Sequence, residues 1–292
     1  MAPRPSPPVL EAFGVKHPLR SLPGGRGLCF EAGGVVLRPS DDDAESEWTG
    51  NFISSLSAIC PITAYRLPHP IKSTTERPSF VHEGWTASTY LTGYAFTPVR
   101  WGEVMQTCRH FHADVRKLNF PKPDFLSSRL NRFHEADLVT WDEKRLSSVE
   151  KVNEDILAMV DAALRQLEQL KRPLPDLPAQ IIHGDLTGNI LFDEGSQLSP
   201  GIIDLTVYWR PAEYAEAIIV ADGLVWHGQG EALLSMFSVT EVRLQLLVRA
   251  LYWRCLCFAI DPDMGFVEAH IPKTDFQGAA LIVKRAIDRL SQ

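Results

Sequence analysis

Apolar residues follow two patterns along the chain, and the pattern changes near residue 93. Before this point short apolar runs are separated by glycine clusters, whereas later segments place apolar residues every three to four positions. One such segment has its apolar residues on a single helix face: Val152, Ile156, Val160, Leu164 and Leu167. The change predicts an α+β protein with a small antiparallel β lobe over 1–93 and a mainly helical lobe over 94–292.

The first lobe is predicted to begin with a short helix at about 9–15, followed by three antiparallel strands. The runs LRSLPGGRG, LCFEAGG and VVLRPS alternate with glycine clusters at hairpin spacing. A charged helix is expected at about 42–56. Residues 79–91 contain the β-branched and aromatic residues of an inner strand, which leads to the boundary between the lobes.

The second lobe is predicted to be built from long helices at the following positions: 101–116, 152–167, 213–226, 241–259 and 276–290. One β-rich interlude interrupts them, with short apolar runs at 180–182, 190–192 and 201–205. Polar residues in this interlude lie at the ends of the apolar runs. The interlude is therefore predicted to contain the functional residues.

Charge and cysteine content narrow the class of protein. With 36 acidic against 29 basic residues the formal charge is −7, which argues against broad nucleic-acid binding. The five cysteines are odd in number and contain no C-x-x-C pair, so we expect reduced thiols and no disulfide framework. These features predict a cytoplasmic protein without a nucleic-acid partner.

Membrane insertion and export are also not expected. The most apolar segment, 244–260, contains Gln245, Arg249 and Arg254 and is too short to cross a bilayer. The proline-rich start, MAPRPSPPVL, lacks the apolar stretch of a secretory signal. The apolar segment is interpreted as a buried helix. No pattern in the sequence indicates the oligomeric state.

The interlude contains a set of residues suited to phosphoryl transfer. This reaction needs a carboxylate near the attacking hydroxyl and oxygen ligands for Mg²⁺ on the ATP phosphates. Asp185 and Asn189 lie in a tight loop between two apolar runs, and Asp204 follows a third run, so a small ribbon would bring them together. His183 is expected to support this loop and Gly184 to give it backbone freedom.

The string HGDLTGNILF followed by IID resembles the signature of aminoglycoside phosphotransferases and related small-molecule kinases, distant relatives of protein kinases. The likeness extends to the GGRG turn, to YLTG and to RHFHA in the same order. A closer similarity is to an uncharacterised bacterial branch with HGDLTGN and YWRP. The resemblance implies a protein-kinase-like two-lobe fold and transfer of phosphate from ATP to a small-molecule hydroxyl.

The resemblance also implies roles for individual residues. Asp185 becomes the catalytic base, and Asn189 and Asp204 become ligands of Mg²⁺. The glycine turn formed by Gly24, Gly25 and Gly27 would cover the ATP phosphates. The acceptor implied is a hydroxyl of an aminoglycoside, an amino sugar or another metabolite.

Arg38 is implied to pair with the phosphates, where most relatives have lysine, and Glu47 or else Glu45 would be its partner on the following helix. Both assignments have simpler alternatives, since Arg38 also fits an exposed strand residue and the glutamates fit a solvated helix start. Trp209 and Arg210 follow the metal aspartate and are candidates for substrate contact.

Two departures from the family pattern motivate an alternative function. Arginine is bulkier than lysine and directs its donors differently, and Asn189 follows Asp185 by four positions instead of the commoner five. The alternative is a degenerate kinase-like protein that binds nucleotide or another ligand as a regulator or scaffold. Because Asp204 precedes Leu205 and Thr206 instead of a DFG motif, a protein-kinase activation loop is not expected.

Overall fold

The computed structural model describes residues 4–23, 27–59, 63–95, 99–150, 152–195 and 197–291. Two compact units emerge from the contacts. The first comprises Met1–Val99, Ala113–Asn119 and Gly188–Leu205, and the second comprises Arg100–His112, Phe120–Thr187 and Thr206–Gln292. This division differs from a single boundary at residue 93, because the segment with Asn189 and Asp204 joins the first unit.

The first unit contains a six-stranded antiparallel sheet. Its strands are β1 (Arg20–Ser21), β2 (Phe30–Ala32), β3 (Val35–Pro39), β4 (Pro70–Ile71), β5 (Val81–His82) and β6 (Trp85–Thr89). The order is β1-β2-β3-β6-β4, with β5 paired to β6. Helices α1 (Pro7–Ala12) and α2 (Asp43–Ile59) belong to the same unit. The three predicted strands and both predicted helices are therefore confirmed.

The segment 79–91 forms a hairpin where the sequence predicted one strand. Glu83 and Gly84 turn the chain between β5 and β6, with φ angles of 47° and 70°. The β-branched and aromatic content of the segment identified the strands, but the turn within it was missed. Strand β6 still has the inner position expected, since it pairs with β3, β4 and β5.

Alternation along the strands fixes which side chains enter the core of the first unit. On β3, Leu37 is fully buried while its neighbour Arg38 points away from that core. The buried cluster joins strand residues to α1 and contains Val9, Phe13, Val15, Phe30, Ala32, Leu37, Trp85 and Ala87. The sheet thus holds Arg38 on a rigid strand, facing away from the apolar cluster.

A second, two-stranded sheet in the first unit contains β8 (Ile190–Leu191) and β9 (Gly201–Ile202), which pair antiparallel. Single bridges connect Arg66 to Gly201 and Tyr94 to Phe192. Both strands coincide with predicted apolar runs, although each is shorter than the run itself.

The second unit is mainly helical. Its helices are α3 (Trp101–Leu118, through His112), α4 (Phe125–Ser128), α5 (Arg132–Thr140), α6 (Glu154–Leu170), α7 (Ala212–Trp226), α8 (Glu231–Phe237), α9 (Glu241–Ala259), α10 (Met264–His270) and α11 (Phe276–Leu290). All five predicted helices are present. No helix of the described residues is long and apolar enough to span a membrane.

Helix α9 lies at the centre of this unit, where it packs against α5, α6, α7 and α11. Its central position explains why the most apolar part of the sequence is a buried helix. A two-stranded ribbon accompanies the helices: β7 (Ala179–His183) pairs antiparallel with β10 (Val207–Pro211), a strand that the sequence analysis missed.

Candidate active site

The loop that contains Asp185 begins where β7 ends, and buried histidines hold its start. The backbone N–H of Asp185 donates to Nδ1 of the fully buried His183 at 3.2 Å. His183 in turn donates its own backbone N–H to Nε2 of His112 at 3.1 Å. Nδ1 of His112 lies 2.7 Å from the carbonyl oxygen of Cys108. Since carbonyls only accept, the proton of neutral His112 is on Nδ1, which leaves Nε2 as the acceptor.

Gly184 is required for its small size. A Cβ atom at this position would lie 2.4 Å from a ring carbon of Tyr208, which is closer than real side chains approach. Gly184 does not adopt a positive φ, so the prediction that it supplies backbone freedom is wrong. The freedom of glycine is needed at Gly188, whose φ is 84°.

An arginine from α9 holds the carboxylate of Asp185. Nη2 of Arg254 donates to Oδ1 of Asp185 at 2.9 Å. The same guanidinium donates to both oxygens of Asp222 on α7, through Nε at 2.7 Å and Nη2 at 2.9 Å. Sequence analysis noted Arg254 only as a charge that argues against a membrane span, and its spacing to Asp185 carried no signal.

Burial sets the electrostatics of this cluster. Asp222 is buried, which raises the pKa of its carboxyl group, and the charge of Arg254 opposes that rise. Burial disfavours the charge of Arg254, but the two carboxylates outweigh it, so the pKa of the guanidinium is raised above its ordinary value. Arg254 therefore stays charged at every pH of interest.

The first unit brings Asn189, Asp204 and Arg38 together. The backbone N–H of Ile203 donates to the carbonyl oxygen of Asn189 at 3.0 Å, which continues the pairing of β8 with β9. Asp204 comes next in the chain and has a left-handed φ of 54°, a conformation that aspartate tolerates better than most residues. Nη1 of Arg38 donates to Oδ1 of this half-exposed Asp204.

Arg38 does not pair with Glu47, and that prediction is wrong. Oε2 of Glu47 accepts from the hydroxyl of Ser79 and from the backbone N–H of Phe80, each at 2.7 Å. Glu47 therefore connects α2 to the segment before β5. The second candidate, Glu45, lies in the first turn of α2, where its backbone N–H is capped by Asp42.

The glycine turn lies only in part within the described residues. Gly24 and Gly25 fall outside them, so their assignment stays a prediction. Gly27 has a φ of 69°, which glycine adopts without strain. Near this turn, Cys29 is partly buried, and burial raises the pKa of its thiol.

Arg210 is held by acidic groups of its own unit. Its Nη2 lies 2.6 Å from Oδ2 of the buried Asp137, and its Nη1 lies 2.6 Å from Oε1 of Glu143. Burial raises the pKa of Asp137. These contacts give Arg210 a structural role, and its contact with substrate stays a prediction.

Trp209 and Arg210 also line an open cavity of about 250 Å³. The other lining residues come mainly from the segment after α6: Trp141, Leu174, Pro175, Asp176, Leu177, Ala179 and Pro211. Ala179 pairs with Pro211, whereas His183 pairs with Val207 at the other end of the same ribbon. The cavity therefore lies at the ribbon end away from Asp185.

The donor groups of the first unit fit a magnesium nucleotide. Asn189 and Asp204 offer an amide oxygen and a carboxylate, which are the hard ligands that Mg²⁺ takes alongside phosphate oxygens. Arg38 offers a planar set of donors that matches a phosphate group. Because Arg38 already binds a carboxylate here, its guanidinium is in a position to bind anionic oxygen.

Comparison with known proteins identifies the family. Residues 54–208 match the model of the phosphotransferase enzyme family, which is more than half of the chain. The chain belongs to this family. No curated protein gave a significant match.

Solved structures with a similar fold include several aminoglycoside phosphotransferases. A thermostable mutant of APH(4)-Ia in complex with ADP and hygromycin B has 14% identity and a TM-score of 0.55, covering 95% of this chain and 96% of the other. Spectinomycin phosphotransferase APH(9)-Ia, in complex with ADP and spectinomycin, has 13% identity and a TM-score of 0.56, covering 96% of each chain.

An aminoglycoside phosphotransferase from Alicyclobacillus acidocaldarius has 13% identity and a TM-score of 0.56, covering 100% of this chain and 98% of the other. At this identity the likeness concerns the fold. The predicted α+β, protein-kinase-like fold is confirmed.

Proposed function

We propose that the protein transfers the γ-phosphoryl group of Mg-ATP to a hydroxyl group of a small molecule. The observation that carries the proposal is the meeting of Arg38 with Asp204, beside the hairpin that contains Asn189. A phosphate-binding cation on β3 and two oxygen ligands suited to Mg²⁺ beside the β8–β9 sheet thus belong to one compact unit. Membership of the phosphotransferase family supports the same reaction.

The residues of the first unit would bind the nucleotide. Asn189 and Asp204 would hold Mg²⁺, which when bound neutralises charge on the phosphates. Arg38 would pair with phosphate oxygens, and the turn of Gly24, Gly25 and Gly27 would cover them with backbone N–H groups.

Asp185 would orient the acceptor hydroxyl and accept its proton. A carboxylate in this role acts by position, because phosphoryl transfer passes through a loose transition state that needs little covalent help. The backbone of Asp185 is fixed by His183 and its carboxylate by Arg254, so the group is held at both ends. This fixation supports the assignment.

The acceptor is proposed to be a small hydroxyl compound, with aminoglycosides and other amino sugars as the first class to screen. Relatives with this fold are seen with hygromycin B and with spectinomycin. A screen should measure ADP release from Mg-ATP in the presence of each candidate. With an acceptor identified by the screen, Asp185→Asn should lower kcat by at least about 100-fold, because general-base groups contribute about 10²–10⁴-fold to the rate. The affinity for ATP should stay within about twofold of the wild-type value.

The control for that screen is Asp193→Asn, a carboxylate of the first unit that accepts the backbone N–H of Gln197 at 3.1 Å. Turnover in this variant should match the wild type. Full activity in Asp185→Asn would contradict the assignment of the base.

One observation favours a second candidate function, a degenerate kinase that acts as a nucleotide- or ligand-binding regulator. Arginine replaces the usual lysine at position 38, and its guanidinium binds the carboxylate of Asp204. An ion pair that persisted with nucleotide present would prevent Asp204 from binding Mg²⁺. Nucleotide binding that is unaffected by Mg²⁺, together with no turnover in the acceptor screen, would favour this candidate.

A further inference from the structure

The carboxylate of Asp185 is part of a three-residue cluster that the family resemblance did not predict. Arg254 on α9 lies between Asp185 and Asp222 and donates to both. The side chain of Arg254 is 11% exposed and that of Asp222 is 4% exposed, whereas Asp185 is 40% exposed. The cluster thus runs from a buried carboxylate, through a buried cation, to a carboxylate at the surface of its unit.

The guanidinium of Arg254 is itself fixed in place. Two of its nitrogens bind the two oxygens of Asp222, a bidentate arrangement that sets the plane of the group. The ring of Trp253 lies 4.6 Å from its central carbon, and that of Trp226 lies 5.5 Å away. Since α7 and α9 pack closely together, Asp222 and Arg254 form a rigid support.

We propose that Arg254, fixed by Asp222, is the positioning residue for the catalytic carboxylate of Asp185; this inference rests on the proposed function. Its contact with Oδ1 restricts rotation of the carboxylate and keeps the other oxygen in one direction. Its charge also balances Asp222, which would otherwise repel Asp185. A buried ion pair is weak evidence for stability alone, so a functional reason for keeping this one is physically reasonable.

Charged and titratable groups from several elements of its own unit lie around Asp185. Arg254 and Asp222 face it from α9 and α7, and the ring of His183 contacts its backbone. Tyr208 on β10 and Cys257 on α9 also interact with its charge, and burial raises the pKa of both groups, so they stay neutral. Loss of Arg254 would therefore remove the positive charge that lies between Asp185 and Asp222.

The test uses ADP release from Mg-ATP with water as the acceptor, so that no acceptor has to be known. In this step the water oxygen bonds to the γ-phosphorus while the bond from that phosphorus to the β–γ bridging oxygen breaks. ADP leaves with the electron pair, and the proton of the water passes to Asp185. A wild-type protein without Mg-dependent ADP release, both with water and with the acceptors of the screen, would overturn the proposed function and this inference with it.

If the wild type releases ADP, Arg254→Met should lower kcat by roughly 10- to 100-fold, because small misplacements of a catalytic group have effects of this size. The KM for ATP should stay within about twofold of the wild-type value. Arg254→Lys keeps the charge but loses the planar set of donors that binds both carboxylates, so kcat should recover only in part.

The matched control is Arg243→Met. Arg243 is on the same helix, about 16 Å from Arg254 along its axis, and pairs with Glu216 on α7 at 2.7 Å. Removing it breaks an ion pair between the same two helices, and kcat should stay at the wild-type value despite the loss of stability.

A folding defect is separated from a positioning defect by the double variant Arg254→Met with Asp222→Leu. This variant removes both buried charges and should regain thermal stability relative to the single variant. Its kcat should stay reduced, because Asp185 still lacks its support. Wild-type kcat in Arg254→Met or in the double variant would overturn the inference while leaving the proposed function standing.

Discussion

In each of the two units, single residues are constrained by close contact or by charge. Gly184 leaves space for the ring of Tyr208, and Arg38 binds Asp204. Each of these contacts joins residues far apart in the sequence, so each predicts a measurable effect of one substitution.

Gly184→Ala should destabilise the protein by roughly 1–3 kcal/mol, because its Cβ would overlap the ring of Tyr208 and force the loop or the ring to move. Urea unfolding measures the change. Gly102→Ala is the control: no atom lies within 4 Å of a Cβ at that helical position, and the change should stabilise by about 0.4–1 kcal/mol. Equal stability of Gly184→Ala and wild type would contradict the close approach.

Arg38→Ala should weaken Mg-ATP binding by about 10- to 150-fold, which corresponds to about 1.5–3 kcal/mol for a hydrogen bond to a charged group. Titration calorimetry gives the dissociation constants. Arg20→Ala removes an exposed arginine of the same sheet that pairs with Glu31, and should leave binding unchanged. An affinity within twofold of the wild type in Arg38→Ala would show that Arg38 is only an exposed strand residue.

At the scale of elements, α3 supports the ribbon through the side chain of His112. His112 on α3 accepts the backbone N–H of His183 at the end of β7, next to the Asp185 loop. The fixed proton on Nδ1 is what makes this acceptor available. The helix therefore contributes to the position of the loop without contributing a catalytic group.

His112→Ala should destabilise the protein by roughly 1–3 kcal/mol, because it leaves the buried N–H of His183 without an acceptor. His110→Ala changes an exposed histidine of the same helix and should stay within about 0.5 kcal/mol of the wild type. Chemical unfolding of both variants provides the measurement. A loss no greater than that of His110→Ala would contradict the supporting role.

The elements also show how far a sequence predicts this molecule. Long helices such as α9 follow from their apolar residues, and β8 and β9 follow from short apolar runs beside polar loops. Strand β10 was missed because its residues Val207–Pro211 include a proline and an arginine, and only pairing with β7 makes them a strand.

The residues of the candidate site that lie close together in the sequence were predictable, and those that come from distant segments were not. Asp185, Asn189 and Asp204 lie within one short segment, whereas the supports of Asp185 come from α7 and α9. Asp222 and Arg254 are separated from Asp185 by long stretches of chain, and nothing in their spacing indicates contact. Glu47 was misassigned for the same reason, since its partner Ser79 becomes a neighbour only in the folded unit.

At the scale of the whole molecule, the chain divides its chemistry between two compact units. The first contains Arg38, Asn189 and Asp204 and has groups suited to a nucleotide, and the second contains Asp185 with its supporting residues. The protein belongs to the phosphotransferase enzyme family, and the fold is shared with aminoglycoside phosphotransferases at 13–14% identity. Such identity conserves a backbone arrangement, while the side chains that select an acceptor are free to differ.

The most direct test of the central claim is a calorimetric titration of the full chain with ATP, with and without Mg²⁺, on the wild type and on Asp204→Ala. Asp41→Ala is the control, because Asp41 is a largely exposed carboxylate 4.0 Å from Arg38 that has no proposed metal role. We predict binding that Mg²⁺ strengthens in the wild type and in Asp41→Ala, with the effect of Mg²⁺ lost in Asp204→Ala. ATP binding that is absent, or that responds equally to Mg²⁺ in all three proteins, would contradict the proposed function.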